Sequence, residues 1–374
     1  MRALVTGGAG FIGSHLADRF LKEGFQVRVL DNLDPKVHPH GRPKELSANV
    51  EFIAGDVTDR DTLLAALKDV EVVSHQAAYQ DYMHDFSRFL LVNGVGTALI
   101  YELIVQEKLK VKKIIVASSQ AVYGEGQYVC PEHGFFLPVP RGQEQLSKGE
   151  WELRCPRCNK LAKQCLLEES HVNPYNQYAV SKLAEEKAAL GLGWLHGIPT
   201  VALRYSITQG PRQSLFNQYS GICRIFVGRA LKGEPLVIYE DGLQTRDFVH
   251  ISDVVEANML VLESEDANFQ AFNVGSGKAT TVLEYANLVR KKLTSDIELD
   301  FSGEYRRGDN RHSVSNVNKL GGLGWNPKRD LATILDDFLA WVESIGGIPS
   351  QIKDAYSAMR KAGVVVRAAP GCPV

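Results

Sequence analysis

The chain has no excess of charge of either sign. Its 374 residues carry 42 Lys and Arg against 44 Asp and Glu, a formal net charge of −2. No basic surface therefore argues for nucleic acid. Long apolar runs are also missing. The longest are strand-sized, which argues against a segment that crosses a membrane. The N-terminal run, MRALVTGGAG, is too short for a signal peptide and turns at once into glycine-rich sequence. Cysteine is scarce and unevenly placed: of six, Cys130, Cys155, Cys158 and Cys165 fall within 36 residues, with Cys223 and Cys372 elsewhere. That is not the dense framework of a small secreted domain. Together these absences lead us to expect a soluble, cytoplasmic protein. The remaining composition, 44% hydrophobic and 23% charged, is ordinary for a globular protein. The length suits one large domain or two that share a core.

The first half alternates short apolar strands with amphipathic helices. Arg2 to Thr6 reads as a strand. It runs into Gly7-Gly8-Ala9-Gly10-Phe11-Ile12-Gly13, and a helix from Ser14 to Glu23 follows. Glycines at 7, 10 and 13 let backbone amides approach a pyrophosphate on the helix N-terminus. The second strand, Gln26 to Leu30, leads directly to Asp31, 18 residues after Gly13. A carboxylate there can accept bonds from adenosine ribose hydroxyls and would repel a 2′-phosphate, which favours NAD over NADP. Asn32 follows it. Val50 to Ile53 is a strand ending near Asp56 and Val57; Asp56 either bonds the adenine or caps the next helix. Val70 to Ser74 leads to His75-Gln76-Ala77-Ala78, where the alanines let backbone approach a cofactor and His75 reads as a packed histidine. A helix from about Asn93 to Gln106 precedes the strand Lys113 to Ala117. The repeat predicts a parallel, doubly wound α/β sheet with ligands at the carboxyl ends of its strands.

Two further stretches carry chemistry. The strand at 113 ends in Ser118-Ser119-Gln120-Ala121-Val122-Tyr123-Gly124, placing hydroxyls where substrate is expected. Asn173 to Lys182 reads NPYNQYAVSK. Tyr178 and Lys182 are four residues apart, on one helix face. A nearby ammonium favours the phenolate, so the spacing predicts a lowered tyrosine pKa and an acid/base for a hydroxyl proton.

These motifs resemble the extended short-chain dehydrogenase/reductase superfamily, in its nucleotide-sugar epimerase/dehydratase branch. The matching stretches are TGGAGFIGSH at 6–15, GDVTD at 55–59, HQAA at 75–78, N-x-x-G-T at 93–97, SSQAVYG at 118–124, YAVSK at 178–182, GPRQ at 210–213, RDFVHISDVV at 246–255, NVGSG at 273–277 and RRGD at 306–309. The resemblance implies a Rossmann fold with NAD held by Gly7, Gly10, Phe11, Ile12, Gly13, Asp31, Asn32, Asp56, Val57, Ala77, Ala78, Asn93, Ser118, Tyr178, Lys182 and Tyr205. It implies Ser119, Tyr178 and Lys182 as the catalytic set. It further implies that NAD takes a hydride from the sugar C4 while Tyr178 takes the O4 proton, and that the 4-keto sugar is then reduced again. Dehydratases of the family carry Asp and Glu where this chain has Gln120 and Ala121, and decarboxylases commonly keep the Glu. Neither residue here exchanges a proton. That leaves a 4-epimerase, with a nucleotide-sugar reductase, dehydrogenase or dehydratase as alternative and a non-enzymatic NAD-binding regulator as a third reading.

Gly124 to Asn173 is longer than the corresponding segment of most family members. It holds Cys130-Pro-Glu-His133 and Cys155-Pro-Arg-Cys158. These C-x2-H and C-x2-C pairs suit a tetrahedral, structural zinc in a zinc-ribbon-like insert, flanked by strands at 128–129 and 151–153. Free thiols, or a Cys155–Cys158 disulfide, are the alternatives. The insert is similar to that of a bacterial group that includes dTDP-L-rhamnose 4-epimerases, a lead to a dTDP-6-deoxyhexose substrate.

On the substrate side the resemblance implies that Arg246 and Arg306 pair with a diphosphate and that Asp309 meets the nucleotide ribose, alongside Ser119 and Gln120. Where the family usually has a phosphate-contacting Asn, this chain has Ile207; Asn217 is the expected replacement. The expected organisation is a cofactor domain at 1–205 with its insert at 125–172, an interleaved substrate region at 206–350, and a C-terminal helix and mobile tail at 351–374. A homodimer through helices near 95–108 and 176–194 is expected from the family.

Overall fold

The computed structural model describes residues 1–81, 84–217, 221–293, 296–348 and 355–369. Seven strands form the central sheet: β1 (Arg2–Thr6), β2 (Gln26–Asp31), β3 (Glu51–Ala54), β4 (Val72–His75), β5 (Lys113–Ser119), β6 (Thr200–Tyr205) and β7 (Gln270–Val274). Their order is β7-β6-β5-β4-β1-β2-β3, and every neighbouring pair is parallel. The doubly wound expectation is therefore met. Register sets Thr6 beside His75 and His75 beside Val116, while Ser119 sits beside Tyr205, so β5 and β6 run three residues past the ends of β1 and β4. Chain order reverses between β1 and β4, and a crevice opens there by topology alone.

Side chains alternate across the sheet, and each face has its own helical cover. Leu4, Leu30, Val73, Ile114 and Val116 pack against α2 (Arg60–Leu67), α3 (Gly96–Gln106) and α4 (Gln177–His196). Ala3, Val5, Val27 and Val29 pack against α1 (Phe11–Lys22) and α5 (Ile251–Glu263). Full burial of each aliphatic side chain contributes about 1.5–3 kcal/mol. Because β7 and α5 come from the second half, the two halves interleave. A second core surrounds Leu236–Ile238 and Leu299–Phe301, built by Phe226, Tyr285, Ile334, Leu335 and Phe338 from three helices.

Several local expectations shift. α3 is the end of a continuous helix that starts at Phe86 and includes a π-helical stretch, Leu90–Val95. The whole of Phe86–Gln106, 21 residues, is apolar enough by length and composition to cross a membrane, unlike the strand-sized runs expected. Its buried face, however, packs on the sheet and α4, and Asn93 and Thr97 are hydrogen-bonded inside the fold. Asp59, not Asp56, caps α2, accepting from Thr62 N at 2.8 Å. Within the insert, Tyr128–Cys130 and Gly134–Phe136 form a hairpin joined by Lys163–Gln164, but 151–153 is not a strand. Its place is taken by a single bridge between Arg154 and Leu161. The C-terminal tail, expected to be mobile, contains the strand Val365–Arg367, paired antiparallel with Glu304–Arg306. Cys372 lies outside the described residues.

Candidate active site

A single cleft of about 1470 Å3 runs along the carboxyl ends of the sheet. Its first end is the turn between β1 and α1. Gly7 has φ +64°, and a Cβ there would lie 2.7 Å from Ala77 N; one on Gly13 would lie 2.2 Å from Gly7 O. The turn is thus closed against the Ala77-Ala78 stretch with no room for side chains. Phe11 and Ile12 also line the cleft. Asp31 ends β2 with its carboxylate pinned by Ala9 N at 3.0 Å and Leu33 N at 2.9 Å. Asn32 donates to Asp56 at 2.9 Å, and the Thr58 amide and hydroxyl add bonds at 2.9 and 2.8 Å. Burial opposes the Asp56 charge, but the bonds from Thr58 and Asn32 outweigh it and hold the carboxyl below its ordinary range. Val57 lines the same wall. A diphosphate dinucleotide has here backbone amides to donate to its phosphates, a carboxylate to accept from its ribose and an apolar wall, the combination that NAD requires.

The middle of the cleft holds Ser118, Ser119, Gln120, Tyr178, Lys182 and Tyr205. Asn176 caps α4 through Ala179 N at 2.8 Å, which starts the helix one residue before Tyr178. Ser119 accepts from Ala121 N at 3.1 Å, so it does cap a turn. Its hydroxyl also shares a hydrogen bond with Tyr178. Burial raises the Tyr178 pKa, and Lys182 and Ser119 only partly offset it. The expected net lowering by Lys182 is therefore absent in the protein by itself: desolvation of a phenolate wins over one buried ammonium. Lys182 is itself paired with Glu185, both fully buried. Burial pushes Glu185 up to about 7 against the pull of Lys182.

Other expected residues act one step back. Asn93 is fully buried and does not line the cleft. It accepts from Tyr79 N at 2.7 Å and donates to Ser181 at 2.8 Å, tying the Ala77–Tyr79 stretch to α4. His75 is a packed residue, hydrogen-bonded to Thr6 and Thr97 at 2.6 and 2.9 Å. Burial lowers its pKa to about 3, so it stays neutral. Ser118 lies at the cleft but donates to Glu186 at 2.7 Å. Glu186 also receives both ends of Arg204, at 2.8 and 2.6 Å. Glu186→Ala, leaving a buried guanidinium without its partner, is expected to cost about 3–5 kcal/mol in a urea unfolding titration.

At the far end, Arg246, Arg306 and Asp309 line the cleft with Ile207 and Asn217. Asp309 Oδ2 lies 3.3 Å from Arg246 and 3.8 Å from Arg306. Burial opposes its charge, but the two arginines prevail and keep its carboxyl below the ordinary range. Arg246 also donates to the carbonyls of Asn310 and Arg311, at 2.9 and 3.0 Å, and so shapes that turn. Gln120 is fixed by Ser313 at 2.8 Å. Glu125 lines the cleft as well, but both its oxygens are engaged, by Arg141 at 3.3 Å and Arg311 N at 2.8 Å.

Sequence reasoning did not find the network behind this turn. Arg141, from the insert, forms a two-point pair with Glu240 at 2.9 and 3.0 Å and donates to Asp309 O at 3.0 Å. Arg311 joins Glu152, Glu240 and Asp241. No local spacing marks these partners, because they come from opposite sides of the chain.

Outside the cleft, Cys130, His133, Cys155 and Cys158 gather with all four donor atoms within 4.8 Å of one another. The sulfurs of Cys130 and Cys158 are 3.6 Å apart. His133 Nδ1 lies 3.7 Å from Cys130 and 3.5 Å from Cys155. Zinc–sulfur bonds of about 2.3 Å in a tetrahedron place sulfurs about 3.7 Å apart, so spacing and donor chemistry fit zinc. The neck of the insert is closed where Gly124, at φ +57°, passes so near Asn173 O that a Cβ would lie 2.2 Å away.

The model for the NAD dependent epimerase/dehydratase family matches residues 3–142 and 157–275 of the chain. Its break falls inside the insert. The dTDP-L-rhamnose 4-epimerase of Burkholderia thailandensis is 34% identical over 348 residues, covering 91% of this chain and 94% of its own. Among solved structures, the UDP-glucose 4-epimerase of Thermus thermophilus in complex with NAD is 30% identical, with a TM-score of 0.72 over 92% of this chain and 99% of its own. The UDP-glucose 4-epimerase of Thermotoga maritima with UDP-glucose is 28% identical, with a TM-score of 0.74 and the same coverages.

Proposed function

Since the chain belongs to the NAD dependent epimerase/dehydratase family, we propose that it is a nucleotide-sugar 4-epimerase working through a transient 4-keto sugar. The observation that carries this is the position of Tyr178 and Ser119 midway along one cleft, between a dinucleotide turn and a pair of arginines. NAD, when bound, supplies a hydride acceptor for C4 and the donor that restores it. Gly7, Gly10, Gly13, Asp31 and Asp56 hold that cofactor. Lys182 steadies the phenolate of Tyr178, which takes the O4 proton and later returns it. Ser119 bonds the same oxygen. Arg246 and Arg306 take the diphosphate, exchanging Asp309 for phosphate oxygens, and Asn217, which lines the same cleft as Ile207, takes the part of the Asn that Ile207 replaces. Gln120 and Ala121 leave no acid and base beside the sugar for elimination of water. Glu125 is committed to Arg141 and Arg311, which favours epimerisation over dehydration. Residues 1–205 serve mainly the cofactor and 206–350 the substrate. Similarity to the Burkholderia protein makes a dTDP-6-deoxyhexose the first substrate to test. Incubation with dTDP-L-rhamnose and UDP-glucose, without added NADH, should yield the C4 epimer of one of them. A reductase would need added NADH, and no turnover of either would count against the substrate assignment.

Zinc in the insert is structural in this reading, since four protein donors fill its shell. The chain also works as a homodimer. Leu90, Leu91, Val95 and Val105 on one helix, with Val180, Trp194 and Leu195 on α4, are all at least 40% exposed. Such an apolar surface on two adjacent helices is what a four-helix interface covers. Leu91→Arg is expected to shift the mass in light scattering from dimer to monomer; a wild-type monomer would refute the interface.

A further inference from the structure

Residues 355–369 pack back against the substrate end of the cleft. Val365–Arg367 adds a strand to Glu304–Arg306, with Val365 opposite Arg306. Arg307 N donates to Val364 O at 3.1 Å and Ala368 N to Gly303 O at 2.9 Å. The short helix before it, Ala355–Lys361, is anchored by Arg360, whose guanidinium grips both oxygens of Glu304 at 2.6 and 2.8 Å. Met359 and Val365 pack on Val237, and Val366 and Ala368 join Tyr305 and Trp151 of the insert. Buried apolar contacts on both sides and a two-point ion pair fix the segment well beyond what a mobile tail would have.

This anchoring brings Lys361 and Ala362 to the wall of the cleft that Arg306, Tyr239 and Val237 also line. Lys361 is exposed there. The ion pairs of this corner, Arg360–Glu304, Arg246–Asp309 and Arg306–Asp309, leave Lys361 without an acidic partner among the described residues. The two arginines are already partly neutralised by Asp309, so a dianionic ligand would gain from one more cation. We infer that Lys361 is a third cation for the diphosphate of the nucleotide sugar, carried to the site by the C-terminal strand. This rests on the nucleotide-sugar reading of the cleft. It makes the C-terminal segment part of the substrate site, and it assigns the site a cation from outside the motifs that mark the family.

The test is calorimetric binding of UDP and dTDP to the full-length, NAD-loaded protein at low and high salt. Lys361→Ala should weaken the better-bound nucleotide about tenfold at low salt, as the loss of one ammonium–phosphate contact implies. The variant should also show a shallower salt dependence than wild type. Lys361→Arg should restore affinity to within about threefold, because it keeps the charge. A merely structural lysine would give neither the change in salt slope nor the rescue by arginine. Wild-type binding with an unchanged Lys361→Ala affinity overturns the inference and leaves the substrate reading standing. Binding of neither nucleotide by wild type overturns both.

Discussion

Tyr178→Phe is expected to lower kcat by about 10²–10⁴-fold, the range of a lost general acid/base, while NAD content and KM stay near wild type. The substitution removes one oxygen from a buried ring and leaves its packing. What is lost is the proton acceptor at the sugar O4. Lys182 remains i+4 on α4, paired with Glu185, and Ser119 remains to bond the substrate oxygen. Those groups account for the residual rate. The pH dependence provides a second readout. Burial raises the Tyr178 pKa despite Lys182 and Ser119, so the base form gains population as pH rises, and wild-type rate should climb toward alkaline pH. Another positive charge bound in the cleft, such as that of an oxidised nicotinamide ring, acts in the same direction as Lys182 and shifts this limb toward neutrality. The phenylalanine variant should lack the limb. Steady-state kinetics from pH 6 to 10 check both points, and wild-type turnover by Tyr178→Phe would remove the catalytic assignment.

Cys155→Ser should produce the second large effect. Wild type is expected to contain stoichiometric zinc by elemental analysis, and the variant almost none. Apparent zinc affinities of structural sites reach about 10–16 kcal/mol in isolated finger peptides, far above what the insert's short strands supply. Its loss should open residues 125–172 to protease while the central sheet resists cleavage. The effect reaches the cleft through named groups. Glu125 lies in the turn just before the strand Tyr128–Cys130 that ends in Cys130, and Cys155 closely follows Glu152. Zinc would tie together the two arms whose carboxylates hold Arg311. Arg141, between those arms, bonds Asp309 O. KM for the nucleotide sugar should therefore rise more than kcat falls. Metal-free wild type with an intact insert would end the zinc assignment.

The features that could be read from the sequence were local ones. The glycine turn, Asp31 and the Tyr178–Lys182 spacing each depend on residues within one strand–helix unit, and all reach the cleft. The Cys130–His133 and Cys155–Cys158 pairs were legible for the same reason: each pair is a turn. Asn93 was misplaced because its motif position does not tell whether its amide faces a ligand or the backbone of Tyr79. The direction of the Tyr178 shift was missed because spacing reports the neighbouring ammonium but not the depth of burial. Arg141, Glu240 and Arg311 stayed hidden because only the closed fold joins them. The strand at Val365–Arg367 was hidden likewise: a short β-branched run at a chain end becomes a strand only when an edge such as Glu304–Arg306 is there to receive it.

The central claim is that the chain inverts C4 by removing and returning the same hydrogen. A nucleotide-sugar substrate carrying deuterium at C4 tests it most directly. With no added cofactor, the epimer formed should keep the deuterium at C4, even when unlabelled NADH is supplied in excess. Deuterium lost to the medium or to the added cofactor pool would contradict the account, as would turnover that stops unless NADH is present.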